Sequence, residues 1–388
     1  MSKFSCKHYL PGAVLAATIA CPLQTFAGAE GLYEQISGSK FNDASVLRSN
    51  GIEFGGWLEV GVTGNPHGPD DETNGPVTFN NDANEIEMNE FYAFIERAAP
   101  TDGGWSLGFR ADMMYGADAR FSPTSNLDDL FLSADDYKLV FPQTYAELYI
   151  PVGNGLTAKI GHFYTIIGYE VVTAPDNFFF SHAYTMQYAE PFTHTGVMLS
   201  YALNDNWSLT GGVVSGWDSF FQEPANFLGG ISYSSDDGRT SVALSLVTGD
   251  VDDSDKHNRT MYSVVVSHDL SDQLHYVFQH DFGTEEESLS TPDNTKWYGI
   301  NQYLTYDISE VMGAGLRAEW FRDEAGTRVT GLDDHFFAVT AGINYSINAW
   351  AKVRPEIRYD WVTNDTEPFD DGTEDNQFLF SMDLIVSF

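Results

Sequence analysis

From residue 51 to its last residue the chain alternates apolar and polar positions with a period of two, the period of a strand whose faces meet different surroundings. Ile52, Phe54, Leu58, Val60 and Val62 fall on one face, while Glu53, Glu59 and Thr63 fall on the other. Leu107, Phe109, Ala111 and Met113 alternate with Ser106, Gly108, Arg110 and Asp112. Val353, Ile357, Tyr359 and Trp361 alternate with Lys352, Arg354, Glu356, Arg358 and Asp360, a dense row of charge that is hard to house in a soluble core. The pattern predicts sixteen strands, near 51–63, 85–97, 105–116, 143–151, 155–163, 194–202, 206–217, 227–234, 239–249, 259–268, 273–282, 295–306, 311–323, 335–345, 351–361 and 376–388.

The connections decide what such strands build. Those after odd-numbered strands are mostly long (64–84, 117–142, 283–294, 362–375), and those after even-numbered strands are short (152–154, 203–205, 269–272, 346–350). A soluble sandwich has no reason to sort its loops by parity, whereas an outer-membrane barrel does. The expected fold is all-β: a transmembrane antiparallel β-barrel of about 16 strands, with long external loops, short periplasmic turns and both chain ends on the periplasmic side. Phe378, Phe380, Met382, Leu384, Val386 and Phe388 form an apolar row on the last strand, whose terminal aromatic resembles the insertion signal of outer-membrane barrels. Trp57, Trp105, Tyr145, Trp207, Trp217, Trp297 and Trp320, near strand ends, are candidates for the interfacial girdles.

Residues 1–29 read as a cleaved secretory signal peptide: Lys3, Lys7 and His8 precede an apolar stretch from Leu10 to Ala20, and Ala27-Gly28-Ala29 offers the cleavage site. The apolar stretch is too short to span a bilayer. Cys6 and Cys21 both fall in this segment, so the exported chain needs no disulfide. A lipid-bearing Cys21 is disfavoured because Thr18 stands where a bulky apolar residue is usual. Residues 30–50 show no pairing pattern and are expected to be a periplasmic lead-in before the barrel at 51–388.

Charge narrows the partners. The 388 residues carry 56 acids against 19 Lys and Arg, a formal charge of −37, and loss of Lys3 and Lys7 with the signal takes it to −39. With no clustered bases to neutralise phosphates, no nucleic-acid partner is expected. Asp70-Asp71-Glu72, Glu285-Glu286-Glu287 and Asp370-Asp371 fall in predicted external loops, where divalent ions would bridge them to lipopolysaccharide. Asp250-Val251-Asp252-Asp253-Ser254-Asp255 looks like a calcium-loop fragment but lacks the later Gly and the distant Glu, so it reads as a solvated acidic loop.

The least strand-like segment is the most individual. It runs Gly161-His162-Phe163-Tyr164-Thr165-Ile166-Ile167-Gly168-Tyr169-Glu170, passes through Ala174-Pro175-Asp176-Asn177 and Phe178-Phe179-Phe180-Ser181-His182, and closes on Glu190-Pro191-Phe192-Thr193-His194-Thr195-Gly196. With the upstream stretch from Arg110 to Phe121 it resembles the beta-barrel porin type 2 family, the OmpL-like porins, and the resemblance extends more loosely over 51–388. It implies a channel in the bacterial outer membrane and transfers no binding residue position by position.

Read from the residues, this block is the third external loop, about 164–193. Three consecutive phenylalanines suit a solvated loop tip poorly, so the loop is expected to fold into the barrel and narrow it. Tyr164, Tyr169, Glu170, Asp176 and Glu190 then become candidate constriction residues, facing Arg317, Arg354 and Arg358 on the wall. Two readings of those arginines are open, and they can coexist. They set a transverse field across the pore, and they pair with the neighbouring Glu319, Glu356 and Asp360 as structural salt bridges.

His162, His182 and His194 share a block but lack ligand spacing, so no metal site is named, and no cofactor motif occurs. Ser267-His268 and Ser181-His182 are adjacent pairs, which on a strand point to opposite faces, and no G-x-S-x-G elbow exists, so no enzyme is expected. The expected function is passive diffusion of small hydrophilic solutes and ions, with modest cation preference from the acidic loops, by a homotrimer on the analogy of porins. The alternatives are a substrate-biased channel with a slide of Tyr164, Tyr169 and Tyr184 for sugars or other small solutes, and a surface adhesin or structural barrel with a plugged lumen.

Overall fold

The computed structural model describes residues 31–130, 136–252, 257–287, 294–329, 331–364 and 366–388. The signal segment with both cysteines, and Asp253 to Asp255 of the acidic stretch, lie outside the described residues. Among them no helix is long and apolar enough to cross a membrane.

The strands are β1 (Glu53–Gly64), β2 (Ile86–Arg97), β3 (Ser106–Gly116), β4 (Lys138–Val140), β5 (Thr144–Ile150), β6 (Leu156–Tyr164), β7 (Thr193–Ala202), β8 (Trp207–Ser215), β9 (Ala225–Ser234), β10 (Thr240–Asp250), β11 (Asn258–Asp269), β12 (Leu274–Glu285), β13 (Thr295–Ser309), β14 (Met312–Glu324), β15 (Asp334–Asn348), β16 (Ala351–Val362) and β17 (Asn376–Ser387). Setting β4 aside, the strands pair antiparallel in chain order, and β1 pairs with β17 from Trp57↔Ser387 to Gly64↔Phe380, so the sheet closes on itself. β4 and β5 both pair with β3 and form one stave, broken at 141–143 where Pro142 has no N–H to give the ladder. The barrel therefore has sixteen staves, and each predicted strand is present.

Closure explains the alternation. Leu316, Val339, Ile357, Phe380 and Met382 are exposed on the outer face, as lipid-facing residues should be, while Arg317, Arg354, Arg358, Ser381 and Asp383 are buried on the inner one. At the long-loop end a belt of rings runs around the outside: Tyr262–Phe282, Phe282–Tyr298, Tyr298–Trp320, Trp320–His335, His335–Phe337 and Phe337–Trp361 follow one another at 5.3–6.5 Å. Of the girdle candidates, Trp105 and Trp207 are exposed on the outside and Trp320 belongs to the belt. Trp57, Trp217 and Trp297 are corrections, since all three are buried inside the barrel, and Tyr145 joins the packing there. The interior has an apolar core of its own, so an aromatic near a strand end has two surfaces to choose from.

Residues 31–50 form two short helices, α1 (Leu32–Ser37) and α2 (Ser45–Asn50), each ended by a glycine with positive φ, Gly38 and Gly51. Asn42 ties them to the rim, its side chain both donating to the Phe54 carbonyl and accepting from the Phe54 N–H at 2.9 Å.

Candidate functional site

The connection from β6 to β7, residues 165–192, turns into the lumen. Phe178, Phe179 and Phe180 are buried, the first two against Val265, Val277 and Tyr303 of the inner wall. The wall makes room with glycine: a Cβ on Gly315 would lie 2.3 Å from Phe178 Cε1, and one on Gly61 2.4 Å from Phe180 Cζ. Further on, Thr185–Ala189 is a π-helical turn, held as the Trp297 indole donates to the Ala189 carbonyl at 3.1 Å. The loop thus supplies the apolar interior that the inward tryptophans use.

Burying this backbone requires partners for its polar groups, and wall charges provide them. Glu356 accepts from the N–H groups of Phe180 and Ser181 at 2.9 and 3.1 Å, and Glu319 accepts from Tyr184 N–H at 2.7 Å. Arg354 Nη1 donates to the carbonyls of Ala174, Asn177 and Phe179 at 2.8–3.0 Å, Arg358 Nη1 to that of His182 at 2.7 Å, and Arg317 Nη1 to that of Ser181 at 2.6 Å. The guanidiniums also form ion pairs: Arg317 with Glu170 at 2.8 Å and Glu319 at 3.1 Å, Arg358 with Asp360 at 2.7 Å, and Arg354 with Asp383 and Glu59. All three side chains are at most 2% exposed. They point inward, but beneath the loop rather than into open water, and Glu170 touches Arg317 instead of facing it across a gap. The contacts are those of structural salt bridges.

The other candidates are equally specific in place. Tyr164 packs with the cluster around Trp57 and Tyr92, and its hydroxyl lies 3.3 Å from that of Tyr92. Tyr169 lies against Tyr303, ring centroids 4.7 Å apart. Tyr184 has no exposed surface and donates to Asp360, so it cannot serve a solute slide. Asp176 is exposed and accepts from Thr173 Oγ1 at 2.7 Å. Glu190 is buried and accepts from Gln279 at 2.6 Å; burial, with Asp281 beside it, pushes its carboxyl well up. Burial would raise Glu170 too, but Arg317, His182 and the Ala183 N–H outweigh it and hold that carboxyl at about 2. The three histidines each have hydrogen bonds of their own: His162 with Thr124 and Thr195, His182 with Glu170, and His194 with Thr165 and the Gly216 carbonyl.

The loop packs toward β11–β17 and β1–β3 and leaves the opposite wall less covered. A shallow open cleft lies there between Ile166 of the loop and Thr210, Gly230, Ile231, Ser232, Ala243, Leu244 and Ser245 of β8–β10. Hydroxyls line this wall in register, with Ser208 bonded to Ser232 and Ser200 to Thr210. Beside it, the inner face of β2–β6 carries charges that keep partial exposure: Glu96 with Arg110 at 2.9 Å, Glu147, and Lys159 over the Tyr145 ring at 4.6 Å. Sequence reading passed over these residues. The usable signal was the run of small inward positions at 208, 210, 212, 230, 232 and 243, where the wall has no bulk with which to meet the loop.

The family profile described as beta-barrel porin-2, OmpL-like, matches residues 51–388. Among solved structures, an anion-selective porin from Comamonas acidovorans superposes with a TM-score of 0.60 at 10% identity, covering 87% of this chain and 99% of its own. OprB of Pseudomonas putida gives 0.60 at 11%, covering 89% and 96%, and the trimer form of OmpT of Vibrio cholerae gives 0.57 at 14%, covering 87% and 99%. No curated relative matches the chain.

Proposed function

The chain belongs to the OmpL-like beta-barrel porin-2 family, and on that premise we propose that it passes small hydrophilic solutes and ions by passive diffusion along the hydroxyl-lined side of its lumen. It is a porin channel of the bacterial outer membrane. The observation that carries the finer reading is the asymmetry of the interior. The inward loop commits Arg317, Arg354 and Arg358 to its own backbone, while Thr210, Ser232 and Ala243 keep partial exposure. No chemistry is involved. Hydroxyls exchange hydrogen bonds with water and solute at little net cost, and the bound loop sets the width.

Two measurements check this. Purified protein in planar bilayers is expected to give single-channel steps, and Thr210→Trp with Ala243→Trp should cut their size by more than half, because bulky rings would occupy the cleft. Steps of unchanged size in that variant would place the path elsewhere, and no steps at all would sink the porin reading.

Selectivity follows from charges that solutes can reach. The acidic external loops concentrate cations at the mouth, an effect that fades above about 1 M salt, where the Debye length is about 3 Å. Modest cation preference is therefore expected at low salt. Lys159 is a partly exposed base on β6, two strands from β8, so Lys159→Gln should move the reversal potential under a salt gradient further toward cations. A reversal potential unmoved by that change would show that Lys159 lies off the path. The trimer form of the Vibrio cholerae relative leads us to propose a homotrimer here, with outer-membrane lipid and lipopolysaccharide around it.

A further inference from the structure

Glu59, Glu90 and Asp118 meet inside the barrel, each offering one carboxylate oxygen such that the three lie within 4.8 Å of one another. All three residues are at most 3% exposed. The arrangement originates in the pairing of β1 and β2: Glu59 stands opposite Glu90, and Val60 opposite Met88, so Asn89 is the extra residue of a bulge that turns both Asn89 and Glu90 inward. Like charges directly opposite across a ladder are destabilising, and here a third acid from the turn after β3 is added. Asn89 Nδ2 holds Asp118 at 3.1 Å from the bulge itself.

Hydrogen bonding does not complete the trio. Glu59 Oε1 is taken by Arg354 at 2.9 Å, and Glu90 Oε2 by the Trp57 indole and by Ala174 N–H at 3.3 Å. Glu59 Oε2 and Glu90 Oε1 accept no hydrogen bond at all, although both atoms are fully buried. The neighbouring bases are committed as well, Arg354 mostly to Asp383 and Arg120 to Asp82 and Glu87. Buried carboxylate oxygens without partners are costly, and a hard cation is the ligand that oxygen-only donors recognise. Oxygens bound to one calcium ion at about 2.3–2.6 Å lie at most about 5 Å apart, a limit that the three carboxylates meet, and calcium accepts irregular oxygen sets where magnesium demands a near-ideal octahedron.

We propose that Glu59, Glu90 and Asp118 bind a calcium ion inside the barrel, loaded as the chain folds. The ion ties the first strand pair to the inward loop, since Glu90 also receives the Ala174 N–H of that loop. Trp57, bonded to Glu90, makes the site visible as an energy donor to bound terbium.

Protein refolded with chelator and titrated with terbium should show saturable tryptophan-sensitised emission that calcium displaces and sodium does not. Glu90→Gln with Asp118→Asn should weaken this at least about tenfold. Asp370→Asn with Glu374→Gln, in a separate half-buried cluster beside His67, should leave it unchanged. Emission that is absent, or equally strong in the Glu90 and Asp118 variant, overturns the proposal and leaves protonation as what neutralises the trio. Should that variant fail to refold, anomalous scattering from terbium-soaked wild-type crystals decides: a peak among the three carboxylates supports the site, and peaks on the external loops alone overturn it.

Discussion

Arg354→Ala is expected to destabilise the barrel by about 3–5 kcal/mol, the cost of breaking a buried ion pair by removing one partner, and to enlarge and roughen its conductance. The guanidinium donates Nε and Nη2 to Asp383, Nη2 to Glu59, and Nη1 to three loop carbonyls. Alanine leaves two carboxylates buried without their cation and unfastens the loop between Ala174 and Phe179. Arg354→Lys should recover little, because an ammonium has three donors at one point and cannot span a wall pair and a loop pair together. The midpoint of heat-induced unfolding in micelles, read beside single-channel traces, checks both halves. A stable variant with wild-type steps would mean that aromatic packing alone holds the loop. Arg358→Ala should act in the same direction through His182 and Asp360.

The strands were legible because lipid imposes a uniform demand on one face. Outward positions in the middle of β14, β16 and β17 are apolar whatever their neighbours are, so Leu316, Ile357 and Phe380 declare the period locally. The inner face obeys no such rule. Gly315 and Arg317 are neighbours on it, one small because Phe178 lies against it and the other charged because Ser181 and Glu170 need it, and both reasons come from a loop about 140 residues away. The three phenylalanines announced that the loop would leave water, but only the register between loop and wall shows that it takes the arginines with it. Trp57 was misread on the same ground: apolar surface inside a barrel, created by a distant segment, offers an aromatic ring a second place to go. The carboxylate trio was hidden for a different reason, since Asp118 comes from the turn after β3, where no strand period places it, and the bulge at Asn89 that holds it breaks the alternation of β2.

Acidifying the protein should leave the loop seated down to about pH 4 and release it between about pH 4 and pH 2, with Glu170 as the group responsible. Its folded carboxyl titrates at about 2 against about 4.3 for an unperturbed glutamate. A carboxyl depressed by folding stabilises the folded state above its unfolded pKa, and that contribution disappears as pH falls through the folded value. The difference corresponds to about 3 kcal/mol at neutral pH. Glu170→Gln should therefore lose that amount at pH 7, most of it through the 2.8 Å pair with Arg317, and its stability should no longer fall across the acid window. Glu190 works with the opposite sign. Its folded carboxyl is raised by burial and by Asp281, so it stabilises at low pH and the contribution is lost as pH rises. Glu190→Gln should flatten the alkaline side of the same profile and leave the acid side alone. Urea unfolding of refolded wild type and both variants across the pH range separates the two arms. An acid limb that survives intact in Glu170→Gln would show that the loop is released by other carboxylates, with Glu319 and Glu356, which accept the loop's backbone N–H groups, as the ones to test next.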